Sequence, residues 1–200
     1  AIIRGKIRGE TLAEGEEAAL VFDRSVFYGE GGGQAGDRGV LYGPDGRFRV
    51  EDVRKVEGYF LHVGVLEQGA LKVGETCRLE HDAAARGDTR KNHSATHLLQ
   101  KALRTVLGDH VKQAGSLVTR DKLRFDFNHF GQVSDAELRR VEDLVNEAIL
   151  ANHPVVIREM KKAEADEAGA MAFFGEKYGE LVRVVNMGGG HSVELCGGSH

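Results

Sequence analysis

The 200-residue sequence contains no tryptophan, only two prolines, and only two cysteines, Cys77 and Cys196. Two cysteines cannot build a disulfide framework, and no early apolar run ends in a cleavage signal, so nothing points to secretion and a reducing cytoplasm is expected. No stretch approaches the roughly 18 apolar residues of a membrane span, so no membrane partner is expected. Positive charge is not in excess either, with 27 Lys and Arg against 31 Asp and Glu. A net charge of -4 gives no global attraction for nucleic acid and leaves that role to local patches. The candidates are Arg86 with Arg90 and Lys91, Arg139 with Arg140, and Lys161 with Lys162, each of which also reads as an ordinary solvated face. The length suffices for a real core in one or two domains without a metal merely to fold it. There is no internal repeat and no low-complexity segment.

What is present is concentrated in two short stretches. In Asn92-His93-Ser94-Ala95-Thr96-His97-Leu98-Leu99 two imidazoles stand four residues apart inside a helical pattern. At about 100° per residue His97 lies about 40° from His93, while Ala95, Leu98, Leu99, Ala102, Leu103 and Val106 gather on the far side. At the other end of the chain, Cys196-Gly197-Gly198-Ser199-His200 again sets two donors four apart. Together His93, His97, Cys196 and His200 form the three-nitrogen, one-sulfur set that Zn²⁺ takes in a tetrahedral shell. A peptidase of the His-Glu-x-x-His type is excluded, because Ser94 stands where the glutamate base belongs. A closed structural zinc, with no position left for water, stays open.

Residues 1–82 alternate short apolar runs with glycine-rich breaks, which predicts a small antiparallel β-barrel-like domain. Ala18 to Phe22 reads as a strand, Gly43-Pro44-Asp45-Gly46 as a turn between strands, and Phe60 to Leu66 as a strand ending before Gly69. The run Phe27-Tyr28-Gly29-Glu30-Gly31-Gly32-Gly33-Gln34-Ala35-Gly36-Asp37 lacks the order of a phosphate loop and reads equally as a hairpin connection or a substrate-facing loop. Near His81-Asp82 the period changes from 2 to 3.6, marking a boundary before a mixed α+β domain over 83–200. Its histidine helix is predicted from about Asp88 to Leu107, with Gly108 just past its end. Val111 to Thr119 and Leu123 to Phe127 read as a hairpin. Ser134-Asp135-Ala136-Glu137 reads as a capping box opening a helix that ends at Asn152 and Pro154. A strand at Val155 to Ile157, a helix over Ala163 to Phe174, and strands at Leu181 to Val185 and Val193 to Leu195 complete the α+β reading.

The two donor stretches, with Phe27 to Gln34, Leu123-Arg124-Phe125-Asp126-Phe127, Gly169 to Gly179 and Arg183-Val184-Val185, closely resemble the editing region of alanyl-tRNA synthetases. The resemblance covers nearly the whole chain and extends to freestanding alanyl-tRNA editing proteins and the threonyl-tRNA synthetase editing domain. It implies a zinc-binding editing domain that hydrolyses tRNA(Ala) wrongly charged with serine or glycine, in a cytoplasmic synthetase. The domain that activates alanine with ATP is not represented in these residues. By resemblance, Zn²⁺ sits on His93, His97, Cys196 and His200, serving as Lewis acid, activator of water or anchor for the terminal adenosine. Also by resemblance, Thr96, Gln113 and Ser116 line the amino-acid pocket, and the loop around Gln34 approaches the tRNA 3′ end. Ser199 stands where the family usually has threonine, and the fourth donor, His200, is the last residue. The chain is therefore expected to be a segment of a longer synthetase whose remainder is its partner, with His200 prone to fray. A freestanding deacylase and a non-catalytic zinc-stabilised tRNA-binding module are the competing readings.

Overall fold

The computed structural model describes residues 1–4, 7–171 and 179–200. The chain divides into two compact units, Ala1–Thr89 and Arg90–His200. The first unit is one antiparallel ladder built from β1 (Ile2–Arg4), β2 (Ile7–Gly9), β3 (Thr11–Ala13), β4 (Glu17–Leu20), β5 (Gly39–Tyr42), β6 (Gly46–Val56), β7 (Tyr59–Lys72) and β8 (Arg78–His81). Its order is β2-β1-β4-β7-β6-β5-β8, with β3 alongside β7. The expected barrel is corrected here: among the described residues the ladder is open, because β2 and β8 are its two ends and do not pair.

The long β6–β7 pair holds this unit together, and its alternation is shifted by a bulge. Val50 opposes Gly64 while Asp52 opposes Val63, so Glu51 is the extra residue. The buried positions consequently move from Phe48 and Val50 to Val53. Strand β7 also runs through Gly69 rather than stopping before it. Gly69 takes φ +74°, and a Cβ there would strike the Asp45 carbonyl, so glycine permits the pairing to continue on β3. The turn at 43–46 forms as expected, with Gly43 N–H donating to Gly46 O at 2.8 Å. In the glycine-rich loop, Gly36 approaches the Val53 backbone and Gly29 the Phe60 ring too closely for a side chain. Glu30 N–H donates to Val53 O at 2.7 Å, and Gln34 is fully buried. Arg86, a candidate for phosphate binding, is engaged otherwise: it pairs with the buried Asp37 and donates to Val26 O.

His62 sits wholly inside this unit, with Ser25 Oγ 2.7 Å from its Nε2 and Leu20 O 3.0 Å from its Nδ1. The rings of Phe22 and Phe27 meet it edge-on. Burial pushes its pKa below the usual histidine value, against the pull of backbone acceptors at Leu20 and Phe60. With the folded value below the unfolded one, the stabilisation is complete above about pH 6.5 and is lost as the pH falls through the folded value. The thermal stability of the β unit should therefore fall between pH 7 and 5, and His62→Gln should flatten that slope. An unchanged slope in the variant would assign the acid sensitivity elsewhere.

The second unit begins within α1 (Ala83–Leu107), a helix of 25 residues. It starts five residues earlier than expected, because Asp82 Oδ1 accepts from Ala85 N–H at 2.9 Å and caps the turn. Gly108, at φ +112°, donates its N–H to Arg104 O at 3.0 Å and ends it. Strands β9 (Gln113–Val118) and β10 (Leu123–Phe127) form the expected hairpin. Asn92 Nδ2 fastens that hairpin's turn to α1 by donating to Thr119 O at 2.9 Å and Arg120 O at 3.2 Å. Ala102 and Leu103 of α1 pack with Val111 and with Val141 of α2 (Asp135–Leu150). The capping box is present in full, Ser134 and Glu137 each bonding the other's backbone N–H. The third layer is the sheet of β11 (Val155–Lys161), β12 (Leu181–Met187) and β13 (Ser192–Leu195). The helix expected over 163–174 is shorter within the described residues: α3 (Lys162–Glu167) gives way to Gly169 at φ +72°, and residues 172–174 of that expectation lie outside them. Among the described residues the fold is α+β with three helices, none long and apolar enough to cross a membrane.

Candidate metal centre

Helix α1 and the residues leaving β13 bring the four sequence-predicted donors together. His93 and His97 lie one turn apart with rings stacked at 5.4 Å, both almost fully buried. The ring of His200 stands 4.5 Å from that of His93 and 5.0 Å from that of His97, so the last residue is part of the cluster. His93 Nε2 and His200 Nε2 each lie 3.3 Å from Cys196 Sγ. One donor atom from each of the four residues falls within 4.8 Å of the other three. Ligands about 2.0–2.3 Å from a tetrahedral zinc are about 3.3–3.6 Å apart, so this donor set fits such a cation with small adjustment.

The electrostatics match a cation site. Burial alone would raise the Cys196 thiol, but hydrogen bonds from His200, His93 and His97 bring it down to about 3, leaving a thiolate at neutral pH. Burial also opposes charge on His97, yet the hydrogen bonds and attraction of Cys196 and Glu194 raise it to about 9. His200 is lowered, first by burial and then by repulsion from His93 and His97, against the attraction of Cys196. Without a metal the thiolate is balanced by a protonated His97, and a soft or borderline divalent ion bound there would take the place of that proton.

Thr96, Gln113 and Ser116 surround different parts of the same helix and hairpin. Thr96 is buried on α1 and donates Oγ1–H to Asn92 O at 2.9 Å. Gln113 opposes Phe127 and Ser116 opposes Phe125, with a register shift between them. Residues three apart on a regular strand point to opposite faces, so this shift is what puts Gln113 and Ser116 on one face, shared with the two phenylalanines packed beside α1.

Four residues without an assigned role in the sequence shape the centre. Glu194 Oε2 lies 2.5 Å from His97 Nδ1, and Ser192 Oγ donates to Glu194 Oε1 at 2.7 Å. The legible signal was the alternation Ser192, Glu194, Cys196, three polar residues on one side of an otherwise apolar strand. Gly198 leaves no room for a side chain, since a Cβ would come within 3.0 Å of three atoms of the His93 ring. Arg183 Nη1 donates to Cys196 O at 2.8 Å and Gly198 O at 2.7 Å, clamping the donor turn onto β12. Each charge-assisted bond contributes about 1.5–3 kcal/mol, discounted here because Arg183 is half-exposed. Arg183→Ala should therefore destabilise by about 2 kcal/mol in urea unfolding, and an unshifted midpoint would show that the clamp contributes nothing.

The sequence model of tRNA synthetases class II (A) matches residues 1–85. Alanine–tRNA ligase of Dichelobacter nodosus is 55% identical over 192 residues, covering 96% of this chain and 22% of that protein. The ligase of Burkholderia vietnamiensis is 54% identical over 199 residues, covering 99% of this chain and again 22% of the relative. The chain thus spans about a fifth of the length of the curated relatives it matches. With more than half of its residues identical to those ligases along nearly its whole length, the chain belongs to the alanyl-tRNA synthetase family.

Proposed function

We propose that this chain is the proofreading part of a cytoplasmic alanyl-tRNA synthetase, hydrolysing the ester of tRNA(Ala) that carries serine or glycine, with the domain boundary at 82–83. The observation that supports it most is the convergence of three imidazoles and a thiolate from α1 and the end of β13. A synthetic pocket sized for a methyl group excludes glycine, or one added hydroxyl, only on the order of 10 to 200-fold, so a second site must remove the errors.

His93, His97, Cys196 and His200 would hold zinc, which supplies Lewis acidity at the ester or an anchor for the terminal adenosine. Cys196 offers its sulfur already deprotonated, and His93 and His200 present Nε2 toward it. Gln113 and Ser116, brought to one face by the register shift, offer hydrogen-bonding groups to the hydroxyl of a bound serine. Alanine in the same place leaves those groups unpaired, at about 1–3 kcal/mol or roughly 10 to 100-fold in rate. Thr96 sits between the two histidine positions with its hydroxyl hydrogen committed to Asn92 O, which leaves its oxygen to accept from a substrate donor.

Single-turnover deacylation of Ser-tRNA(Ala) and Ala-tRNA(Ala) by zinc-loaded, chelated and Gln113→Ala chain tests this. Fast loss of serine alone, abolished by chelation and weakened in the variant, is expected. A second reading, favoured by four protein donors filling a tetrahedral shell, is a structural zinc in a tRNA-binding module. Loaded protein that binds tRNA(Ala) and never cleaves the ester would support it and overturn the first.

A further inference from the structure

We propose that Glu194, braced by Ser192, is the positioning group of the metal centre, fixing which nitrogen His97 turns to the cation. The proposal rests on the metal reading above. Its geometry is specific. Both oxygens of the buried carboxylate are engaged, Oε2 by His97 Nδ1 at 2.5 Å and Oε1 by the Ser192 hydroxyl at 2.7 Å. An acceptor at Nδ1 keeps a proton there when the ring ligates, and so leaves Nε2 as the ligating atom. The backbone of Glu194 is held on both sides, opposing Val185 of β12 and bridging to Met171, so the root of its side chain is fixed. Met171 N–H donates to Val193 O at 2.9 Å, and Leu195 N–H to Met171 O at 2.8 Å. The same strand thus delivers a ligand, Cys196, and the orienter of a second ligand, His97, so the two are set in register by the pleat.

A buried ion pair with only a structural role would predict something different. It would lower the unfolding midpoint with and without zinc and leave affinity unchanged, whereas a positioning group changes affinity in folded protein. Zinc affinity of the full chain is measured by competition with a chromogenic chelator for wild type, Glu194→Gln, Glu194→Ala and Ser192→Ala, each checked for folding by circular dichroism. Glu194→Gln keeps shape and an acceptor and guards against a variant that fails to fold. Affinity should weaken about 10-fold in Glu194→Gln and about 100-fold in Glu194→Ala, with a smaller loss in Ser192→Ala. The cobalt(II)-loaded glutamine variant should show an altered visible ligand-field spectrum. Folded Glu194 variants within about twofold of wild type, with unchanged cobalt spectra, would overturn the proposal. A wild-type chain that binds no zinc would overturn the metal reading on which it rests.

Discussion

Replacing Cys196 by alanine is expected to abolish the stabilisation that zinc gives the second unit. The sulfur is the one soft donor of the cluster, already a thiolate because three imidazoles hydrogen-bond to it. Its loss leaves three histidines, two on a helix and one on the last residue, with nothing at their centre to draw them together. A ligand that binds only the folded state stabilises it by about 2.7 kcal/mol at a free concentration 100 times its dissociation constant. For a cooperative unit of this size that corresponds to a rise of about 10 °C in melting temperature. Wild-type chain should show this rise on titration with zinc, and Cys196→Ala should melt at one temperature with or without the ion. Equal shifts in the two proteins would place the bound zinc somewhere other than this cluster.

A single added methyl at Gly198 should come close to the same result by a different route. The Gly198 amide donates to Cys196 Sγ at 3.4 Å and its carbonyl accepts from Arg183, so the backbone is held where a Cβ would run into the His93 ring. Either the imidazole leaves the cluster or the turn lifts off, and both separate His93 Nε2 from the sulfur. Overpacking of this kind costs about 1–3 kcal/mol. Zinc affinity in Gly198→Ala should fall about 100-fold, by analogy with other disturbances of ligand orientation. Gly197 is the internal control, since it is exposed and a Cβ there meets nothing within 4 Å. Gly197→Ala should bind zinc as wild type does. Equal affinity in all three proteins would mean that the close approach of Gly198 to His93 has no part in the site.

The histidine pair, the capping box at Ser134 and Glu137 and the hairpin around Arg120 were legible because each is a local pattern: spacing of four, spacing of three, or two apolar runs about a polar turn. The start of α1 was less so, since Asp82 caps through a side-chain bond in a stretch whose apolar period is weak. The open ends of the β ladder depend on which strands find each other, and no local period encodes that. Strand β7 reads as broken at Gly69, yet glycine is what lets the chain pass the Asp45 carbonyl. In the site, the four donors were legible as two i, i+4 pairs. Glu194 showed only as part of the polar alternation Ser192, Glu194, Cys196, with no hint of its partner, and Arg183 showed nothing, because their partners lie 97 and 13–15 residues away.

The most direct test of the account is X-ray absorption at the zinc edge of the loaded chain, with one metal ion per protein established first. The spectrum should show a shell of three nitrogens at about 2.0–2.1 Å and one sulfur at about 2.3 Å, with the sulfur lost in Cys196→Ala. A shell of nitrogen and oxygen alone in the wild-type protein would contradict this ligand set.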